Sequence, residues 1–280
     1  MLKHHQKAQQ SVRAGTLYIV ATPIGNLADI TLRALAVLAA ADWVCAEDTR
    51  VSAQLLSAYG IQAKLVSLRE HNERQMADKV IAALAEGKTV AQISDAGTPA
   101  VCDPGAKLVS QVREAGFPVV PVPGASAVMA VLSAAGVEAP DFYFHGFLPP
   151  KSGERIKCFE RWLAADYPVI AFETPHRIVA TLDDMMRVFP NRHILLAREI
   201  TKTFETFISG SVQEVQAALA ATEVRLAVHD SYDLPKETIT AFESANDAKV
   251  VILKMGDGNA MLNRLILTRN EGGVADAVYG

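Results

Sequence analysis

The chain has 280 residues, 50% hydrophobic and 21% charged, which is typical of a folded globular protein and excludes a disordered or fibrous one. Its 27 basic and 31 acidic residues give a net charge of -4, which excludes a polycation that binds nucleic acid through bulk charge. The three cysteines, Cys45, Cys102 and Cys158, show neither a disulfide framework nor metal-ligand spacing, so we expect a cytoplasmic protein without a metal.

Two segments bear on membranes and targeting. Residues 115–137 carry no charge, but three prolines and Gly124 interrupt them, so we expect a strand, a turn and a helix rather than a membrane span. Residues 1–14 are polar and basic and lack the apolar core of a signal peptide. We expect them to form a flexible N-terminal tail.

From Thr16 onward, short β-branched runs alternate with segments of helical period. The runs are TLYIVA, DWVCAE, KLVSL, TVAQIS and FPVVPV. This alternation predicts an α/β domain over residues 15–123, with a parallel sheet covered by helices on both faces.

The second half predicts a mixed α/β domain over residues 124–256. Strands are expected around FYFHGF, PVIAFE, HILLARE, TFISG and VVIL, with helices beginning near Glu154 and Arg177. Strands follow one another more closely here, which favours a mixed sheet. Residues 257–280 show no strong period and are expected to be an atypical C-terminal tail.

Three loops rich in small residues follow strands of the predicted parallel sheet. They are residues 21–26 (ATPIGN), 94–99 (SDAGTP) and 123–126 (PGAS). Ligands of such sheets bind outside the carboxyl ends of the strands. Glycines let a ligand approach the backbone, Thr98 and Ser126 can hydrogen-bond to it, and Asp95 can face a cation or ribose hydroxyls. Each loop alone is typical of a turn, but together they predict one pocket. None of them matches GxGxxG or a P-loop, which disfavours the usual dinucleotide or P-loop nucleotide site, and the sequence contains no GxSxG.

Eight motifs occur in a familiar order: ATPIGNLADIT, AEDTR, LREHNE, SDAGTP with DPG, PVPGASA, GFLPPKSGER, ETPHR and ARE followed by TK and FE. On these motifs the chain resembles the small-subunit rRNA 2'-O-methyltransferase branch of the tetrapyrrole methylase superfamily, over about residues 15–220. AEDTR and HNE are associated with the rRNA branch rather than with the porphyrin branch.

This resemblance implies a two-domain methyltransferase that binds S-adenosylmethionine between its domains and acts as a homodimer. The implied target is a cytidine ribose in 16S rRNA or the 30S subunit. The residues implied to bind the cofactor are Pro23, Gly25, Asp95, Ala96, Gly97, Thr98, Ser126, Ala127 and Glu173.

A ribose hydroxyl is a poor nucleophile until a group accepts its proton, so a general base is expected near it. The candidates are His71, Glu47, Glu73 and Lys202. The alternative for His71, beside a helix start, is capping or packing. Glu47 and Asp48 have the alternative of holding Arg50 or capping the next helix.

A short basic segment supplies candidates for RNA contact. It carries Lys151, Arg155, Lys157 and Arg161, and Arg50 and Arg177 are further candidates. A charged helix face this short is also typical of a merely solvated surface. Arg177 and Arg198 have the alternative of pairing with Glu173 and Glu199.

The C-terminal quarter departs from the pattern of the rRNA branch. A strand resembling GExVxVxEG and a helical tail rich in Lys and Ala are expected after Ala220, and the sequence contains neither. VVILKMG instead resembles the closing strand of the precorrin methylases, and it is expected to complete the sheet of the second domain. Two alternatives therefore stay open: methylation of a tetrapyrrole ring, and a cofactor-binding protein without turnover.

Overall fold

The computed structural model of the protein describes residues 2–138, 141–220, 223–228, 235–246, 249–254 and 277–279. Contacts divide the chain into two compact units. The first comprises Met1–Leu148, Ala165–Phe172 and Glu199–Thr203, and the second comprises Pro149–Ala164, Glu173–Arg198 and Phe204–Gly280. The domain limits expected at residues 123 and 256 stay a prediction. None of the described helices has both the length and the apolar character needed to cross a bilayer.

A five-stranded parallel sheet forms the centre of the first unit, which confirms the prediction from the alternating pattern. Its strands are β1 (Leu17–Val20), β2 (Trp43–Ala46), β3 (Lys64–Ser67), β4 (Val90–Gln92) and β5 (Val119–Val122). They lie in the order β3-β2-β4-β1-β5. The helices before and between them are α1 (Leu2–Gln10), α2 (Leu32–Ala40), α3 (Thr49–Ala58), α4 (Glu73–Ala85) and α5 (Ala106–Glu114).

Hydrophobic cores cover both faces of this sheet. Leu17 packs on one face in a cluster that contains Val80 of α4 and Leu108 of α5. The next residue, Tyr18, packs on the other face in a cluster that contains Leu38 of α2. Because successive side chains of a strand point to opposite faces, a strand buried on both faces is apolar throughout. This explains the continuous run TLYIVA.

The N-terminal segment differs from the expected flexible tail, because residues 2–10 form helix α1 and pack against α2. Its sequence, LKHHQKAQQ, contains neither Gly nor Pro and is rich in residues with good helix propensity. Lys7 lies in the last turn, where a positive charge interacts favourably with the helix dipole. The contact with α2 adds tertiary packing that a polar composition does not predict.

The first unit also contains helix α6 (Ala127–Ala134) and the strands β6 (Tyr143–Phe147) and β7 (Val169–Phe172). The strands β6 and β7 pair in parallel, with an irregular register beside Gly146. Both strands were predicted from their β-branched and aromatic runs.

The second unit contains the helices α7 (Ser152–Arg161), α8 (Ile178–Val188) and α9 (Val212–Ala220), with an antiparallel pair of strands, β8 (His193–Arg198) and β9 (Thr206–Ser211). Phe159 of α7 is fully buried. Its ring centroid lies 5.4 Å from that of Phe189 and 5.6 Å from that of Trp162. The contact with Phe189 joins α7 to the end of α8, and Trp162 lies at the end of α7 itself.

The C-terminal quarter forms a parallel sheet of its own. Its elements are β10 (Glu223–Val228), α10 (Lys236–Asn246), β11 (Lys249–Lys254) and β12 (Ala277–Tyr279), and the strand order is β11-β10-β12. The run VVIL lies in β11 and pairs with β10, so it belongs to this sheet rather than to the one that contains β8. Most of the expected atypical tail lies outside the described residues, but β12 shows that residues 277–279 form a strand.

Candidate functional site

The topology of the parallel sheet places a crevice between β2 and β4. After β2 the chain turns to its neighbour β3 at one edge, and after β4 it crosses to β5 at the other edge. Connections that leave adjacent strands in opposite directions open a crevice at the carboxyl ends, where ligands of α/β proteins bind. A cavity of about 410 Å³ lies at this position. It is lined by Glu47, Asp48, Arg69, Glu70, His71 and Asp95.

The cavity contains two candidate general bases and one candidate cofactor residue from the sequence analysis: Glu47, His71 and Asp95. The backbone amide of Asp48 donates a hydrogen bond to Asp95 Oδ1 over 3.2 Å, which joins the ends of β2 and β4. The side chain of Asp48 accepts from the amide of Arg50 over 2.8 Å and caps α3. The same carboxylate pairs with the Arg50 guanidinium at 2.7 Å. For Asp48, the alternative of capping a helix and holding Arg50 is therefore confirmed.

Two carboxyls of the cavity, those of Glu47 and Asp48, have pKa values shifted in opposite directions. Burial raises the pKa of Glu47 above its ordinary value, Asp95 and Asp48 raise it further, and Arg69 opposes the shift. Hydrogen bonds from Arg50 instead hold the pKa of Asp48 well below its usual range. Glu47 therefore retains a proton more readily than Asp48 does, which suits it better to proton exchange.

The sequence analysis missed Asp103, in the segment between β4 and α5. Burial raises the pKa of this carboxyl to about 6, and the negative charges of Glu47 and Asp95 contribute to the shift. The signal in the sequence is DPG, a turn motif that follows SDAGTP. Only the fold brings this turn close enough to Glu47 and Asp95 for their charges to act on it.

The residues of HNE have three different positions. His71 lines the cavity. Asn72 accepts from the amide of Arg69 over 2.7 Å and donates to the carbonyl of Ser67 over 3.2 Å, so it shapes the turn after β3. Glu73 is buried and accepts from the amide of Gly105 over 2.5 Å. These contacts give Glu73 a structural role, and its predicted role as a general base stays a prediction.

The three loops of small residues meet, as the prediction of one pocket requires. Thr22 and Gly97 exchange two backbone hydrogen bonds of 2.8 and 3.1 Å. Thr98 Oγ1 donates to the carbonyl of Ala125 over 3.2 Å. A Cβ added to Gly124 would lie 2.9 Å from the Cβ of Ala21, so only glycine allows this approach. The cofactor contacts expected of these loops stay predictions.

Other candidate cofactor residues occupy these same loops. Pro23 and Gly97 are buried, whereas Asp95, Ala96 and Thr98 are exposed. The Ser126 hydroxyl accepts from the amide of Met129 over 3.5 Å and so caps α6, whose first residue is Ala127.

Lys202 lies against the first of these loops. A Cβ on Gly25 would fall 2.5 Å from Lys202 Cγ, so the lysine stem crosses the glycine backbone closely. Lys202 Nζ pairs with Glu199 at 2.9 Å. Glu199 and Thr201 have φ angles of 51° and 67°, which is strained for a β-branched residue such as threonine. The fold therefore holds this segment, with the candidate Lys202, in a strained conformation beside Gly25.

Comparison with known proteins identifies the class of this molecule. The family model of the Tetrapyrrole (Corrin/Porphyrin) Methylases matches residues 16–216. The chain belongs to this methylase family. It is a methyltransferase, and the match spans the parallel sheet, the cavity and the three loops.

Two relatives of this methylase share one name. The chain is 73% identical to the Ribosomal RNA small subunit methyltransferase I of Neisseria meningitidis serogroup B over 219 residues, which cover 78% of the chain and 75% of the relative. It is 47% identical to the protein of the same name from Escherichia coli O157:H7 over 225 residues, which cover 80% of the chain and 78% of that relative. The resemblance to the small-subunit rRNA methyltransferase branch, which was based on the eight motifs, is thereby confirmed.

Solved structures show the methylase fold. The chain is similar to uroporphyrin-III-C-methyltransferase from Thermus thermophilus, with a TM-score of 0.50 and 23% identity over 72% of this chain and 88% of that chain. It is similar to cobalt precorrin-4 methyltransferase, with a TM-score of 0.54 and 19% identity over 74% of this chain and 90% of that chain. The predicted two-domain methylase fold is confirmed.

In the second unit of the methylase, the carboxylate of Glu173 is held by its neighbours. Oε2 accepts from Thr181 Oγ1 over 2.7 Å, and Oε1 accepts from Arg177 Nε over 2.6 Å. The alternative in which Arg177 pairs with Glu173 is therefore present. The predicted cofactor contact of Glu173 and the predicted RNA contact of Arg177 stay predictions.

The predicted basic segment of the methylase requires one correction. Arg155 is only 3% exposed, because its guanidinium pairs with the buried carboxylate of Asp184 and donates to the carbonyl of Pro149. It is therefore a structural residue and is not accessible to RNA. Lys151, Lys157 and Arg161 are exposed, so the surface that they form keeps three of the four predicted cations.

Proposed function

We propose that this methylase transfers a methyl group from S-adenosylmethionine to the 2'-oxygen of a cytidine ribose in small-subunit rRNA. The observation that carries the proposal is the 73% identity to a Ribosomal RNA small subunit methyltransferase I over 219 residues. The match to the methylase family, over residues 16–216, includes the residues that line the cavity. The proposal includes a homodimer that acts in the cytoplasm on 16S rRNA or on the 30S subunit.

The loops after β1, β4 and β5 suit the cofactor. They bring small residues and backbone amides together, through the bonds between Thr22 and Gly97 and between Thr98 and Ala125. Such loops let an adenosine and an amino acid moiety approach the backbone closely. The exposed carboxylate of Asp95, which belongs to the loop after β4 and lines the cavity, complements a positive charge. When bound, S-adenosylmethionine supplies a methyl group activated by a sulfonium.

The protein's contribution is then orientation and proton acceptance. Holding the ribose hydroxyl in line with the donor methyl supplies most of the rate enhancement. Glu47 and His71 line the cavity, where one of them or a neighbouring carboxylate can accept the hydroxyl proton. Lys202 is ion-paired with Glu199, and an ammonium donates hydrogen bonds but accepts none. Its place beside Gly25 suits contact with the cofactor better than proton acceptance.

The exposed cations Lys151, Lys157 and Arg161 are proposed to contact RNA phosphates. Arg50, whose side chain is 85% exposed, is a further candidate near the cavity, although its guanidinium also holds Asp48. Within the described ranges, no group of three or more His, Cys, Asp and Glu side chains could hold a metal ion. Transfer from a sulfonium does not require one.

Calorimetry and methyl transfer on one preparation test the proposal. The purified protein is titrated with S-adenosylmethionine and then given 30S subunits that lack the modification, together with tritiated cofactor. We expect saturable binding, and tritium in 2'-O-methylcytidine after digestion of the rRNA to nucleosides. If the cofactor binds but methyl is transferred only to a tetrapyrrole, the substrate is a tetrapyrrole and not rRNA. Binding without transfer to either substrate would indicate a cofactor-binding protein without turnover. Absence of binding would show that S-adenosylmethionine is not the cofactor.

The Asp95→Ala variant tests the cofactor contact separately. We expect its affinity for S-adenosylmethionine to fall by about tenfold or more, because a carboxylate facing a cation is removed. The matched control is Asp78→Ala, at an exposed position of α4. Unchanged affinity in Asp95→Ala, with an intact circular dichroism spectrum, would remove Asp95 from the cofactor site.

A further inference from the structure

Two of the six side chains that line the cavity are engaged within the protein. Asp48 pairs with Arg50, and Asp95 Oδ1 accepts from the backbone amide of Asp48 over 3.2 Å. Within the described part of the chain, no ion pair engages the other four, which are Glu47, Arg69, Glu70 and His71. The carboxylate of Glu47 also accepts no hydrogen bond from the described residues. The cavity therefore presents an acceptor and a donor that a ligand can use.

The cavity occupies one half of the carboxyl edge of the parallel sheet. Glu47 directly follows β2, Arg69 lies in the turn after β3, and Asp95 follows β4. The loops that are proposed to bind the cofactor follow β4, β1 and β5. Because the strand order is β3-β2-β4-β1-β5, the cavity and these loops adjoin at β4. A substrate group in the cavity would therefore lie beside the loops proposed for the methyl donor.

The charge of the cavity restricts what it can bind. Its lining contains four carboxylates and one guanidinium, besides the imidazole of His71. This excess of negative charge repels a phosphate, whereas it favours a group that donates hydrogen bonds. The exocyclic amine of a nucleobase is such a donor. The volume of about 410 Å³ lies within the usual range of about 300 to 1,000 Å³ for small-ligand pockets.

Cytosine presents an edge that complements Glu47 and Arg69. Its N4 amine donates hydrogen bonds and its O2 accepts them, whereas an ionised carboxylate only accepts and a guanidinium only donates. Uracil carries a carbonyl oxygen in place of the amine, so it would face the carboxylate with a second acceptor. Glu47 is half-buried and Glu70 is exposed, so a hydrogen bond to Glu47 is better shielded from water.

We propose that the cavity binds the cytosine of the target nucleotide, with Glu47 accepting from the N4 amine and Arg69 donating to O2. The inference rests on the proposed function and deepens it, because it assigns the choice of base to two side chains. Entry into the cavity requires the base to leave its stack in the rRNA, as in enzymes that extrude their target nucleotide. With Glu47 engaged by the base, His71 remains to accept the hydroxyl proton.

The first test measures the choice between cytidine and uridine. The nucleotide that the wild type methylates is mapped, and 30S subunits are reconstituted with 16S rRNA that carries either cytidine or uridine at that position. Tritium transfer from the cofactor gives kcat/KM for both substrates. We expect the wild type to prefer cytidine by about 10²-fold or more, because uridine leaves two acceptors facing each other.

Glu47→Gln should reduce this preference by about tenfold or more, since an amide can donate to O4 of uracil as well as accept from the amine of cytosine. Glu114→Gln, at an exposed position of α5, is the matched control and should keep the wild-type preference. A Glu47 that acted only as a proton acceptor would instead lower kcat equally on both substrates when replaced. An unchanged preference in Glu47→Gln would therefore overturn the proposal.

Arg69→Ala tests the second contact. O2 is common to cytosine and uracil, so this variant should raise KM for both substrates by about tenfold or more and leave the preference unchanged. The slope of log affinity against log salt should stay that of the wild type, because the contact is not to a phosphate. An unchanged KM, or a shallower salt slope, would overturn the contact between Arg69 and the base.

Calorimetry with S-adenosylmethionine separates this inference from the proposed function. Glu47→Gln should bind the cofactor as the wild type does, which also shows that the variant is folded. A Glu47→Gln variant that loses cofactor affinity and keeps the preference would place the cofactor in the cavity and overturn the inference. A wild type that methylates cytidine and uridine equally well would also overturn it, but would uphold methyl transfer to rRNA. A wild type that transfers no methyl to 30S subunits would overturn the proposed function itself.

Discussion

The guanidinium of Arg155 and the carboxylate of Asp184 form a buried ion pair, with Nε of the arginine 2.9 Å from Oδ2 of the aspartate. Both side chains are 4% exposed. Asp184 Oδ1 also accepts from Ser152 Oγ over 2.7 Å. The pair therefore joins the beginning of α7 to α8, and an arginine within a basic segment serves the fold of the second unit.

Removing Arg155 should destabilise the protein. In Arg155→Ala, Asp184 would stay buried without its main partner, and breaking such a pair costs about 3 to 5 kcal/mol of the free energy of unfolding. Urea unfolding measures this loss. The control is Lys157→Ala on the exposed face of α7, which should change the free energy by less than about 0.5 kcal/mol. Equal effects of the two changes would contradict the structural role of Arg155.

The exposed cations Lys151, at the N-terminus of α7, and Lys157 and Arg161, within α7, should determine the salt dependence of RNA binding. In the triple variant Lys151→Ala, Lys157→Ala and Arg161→Ala, the slope of log affinity against log salt should become shallower by about 0.7 to 0.9 for each phosphate that is no longer neutralised. Filter binding of a 16S rRNA fragment at several salt concentrations measures this slope. Arg113→Ala, on the exposed surface of α5, is the matched control. An unchanged slope in the triple variant would show that these cations are merely solvated.

Gly105→Ala should destabilise the first unit. The new Cβ would overlap with the Gln92 side chain and the φ of +131° is unfavourable for alanine, so we expect a loss of about 1 to 3 kcal/mol or more. Gly153→Ala is the control, because its Cβ would meet nothing within 4 Å and it lies in α7. There, alanine should increase stability by up to about 1 kcal/mol. Thermal unfolding of both variants checks the opposite signs.

The ionisation of Asp103 should lower the free energy of unfolding as the pH rises from about 4 to 6. The unfolded chain ionises this aspartate near its ordinary pKa of about 3.9, whereas burial raises the pKa to about 6 in the folded protein. The folded state therefore binds more protons in this window, and the stabilising contribution is lost as the pH passes 6.

The Asp103→Asn variant checks this sign. Asparagine cannot ionise, so the variant should be more stable than the wild type by about 1 to 2 kcal/mol at pH 7, after allowance for solvent screening. The difference should shrink toward pH 4. Urea unfolding from pH 4 to 7.5 measures both, with Asp78→Asn as the control that should follow the wild type. A wild type that gains stability relative to Asp103→Asn as the pH rises would contradict the expected sign.

Local patterns determined the strands and the loops of this protein. The apolar run TLYIVA became β1, because a strand covered on both faces needs apolar residues at successive positions. The small residues after β1, β4 and β5 marked the loops that meet, because parallel strands bring their carboxyl ends to one edge. Asp48 before Thr49 indicated a helix cap, which is a local interaction along the chain.

Partners distant in the sequence decided the rest. The same composition suited Arg155 to a solvated face or to RNA, and only the packing of α7 against α8 brought Asp184 to it. The polar composition of residues 2–10 predicted a flexible tail, but their contact with α2 supplies the packing that stabilises a short helix.

The sequence by itself determined that this is an α/β methylase, since periodicity and ordered motifs are properties of the chain alone, and it predicted a ligand site at the strand ends. The tertiary structure alone decided what each polar side chain does there. The charges of Glu47 and Asp95 act on the pKa of Asp103, and Glu73 accepts from the amide of Gly105, only because the fold brings these residues together. Burial and Coulomb interactions depend on distances in space, and no spacing along the chain records them.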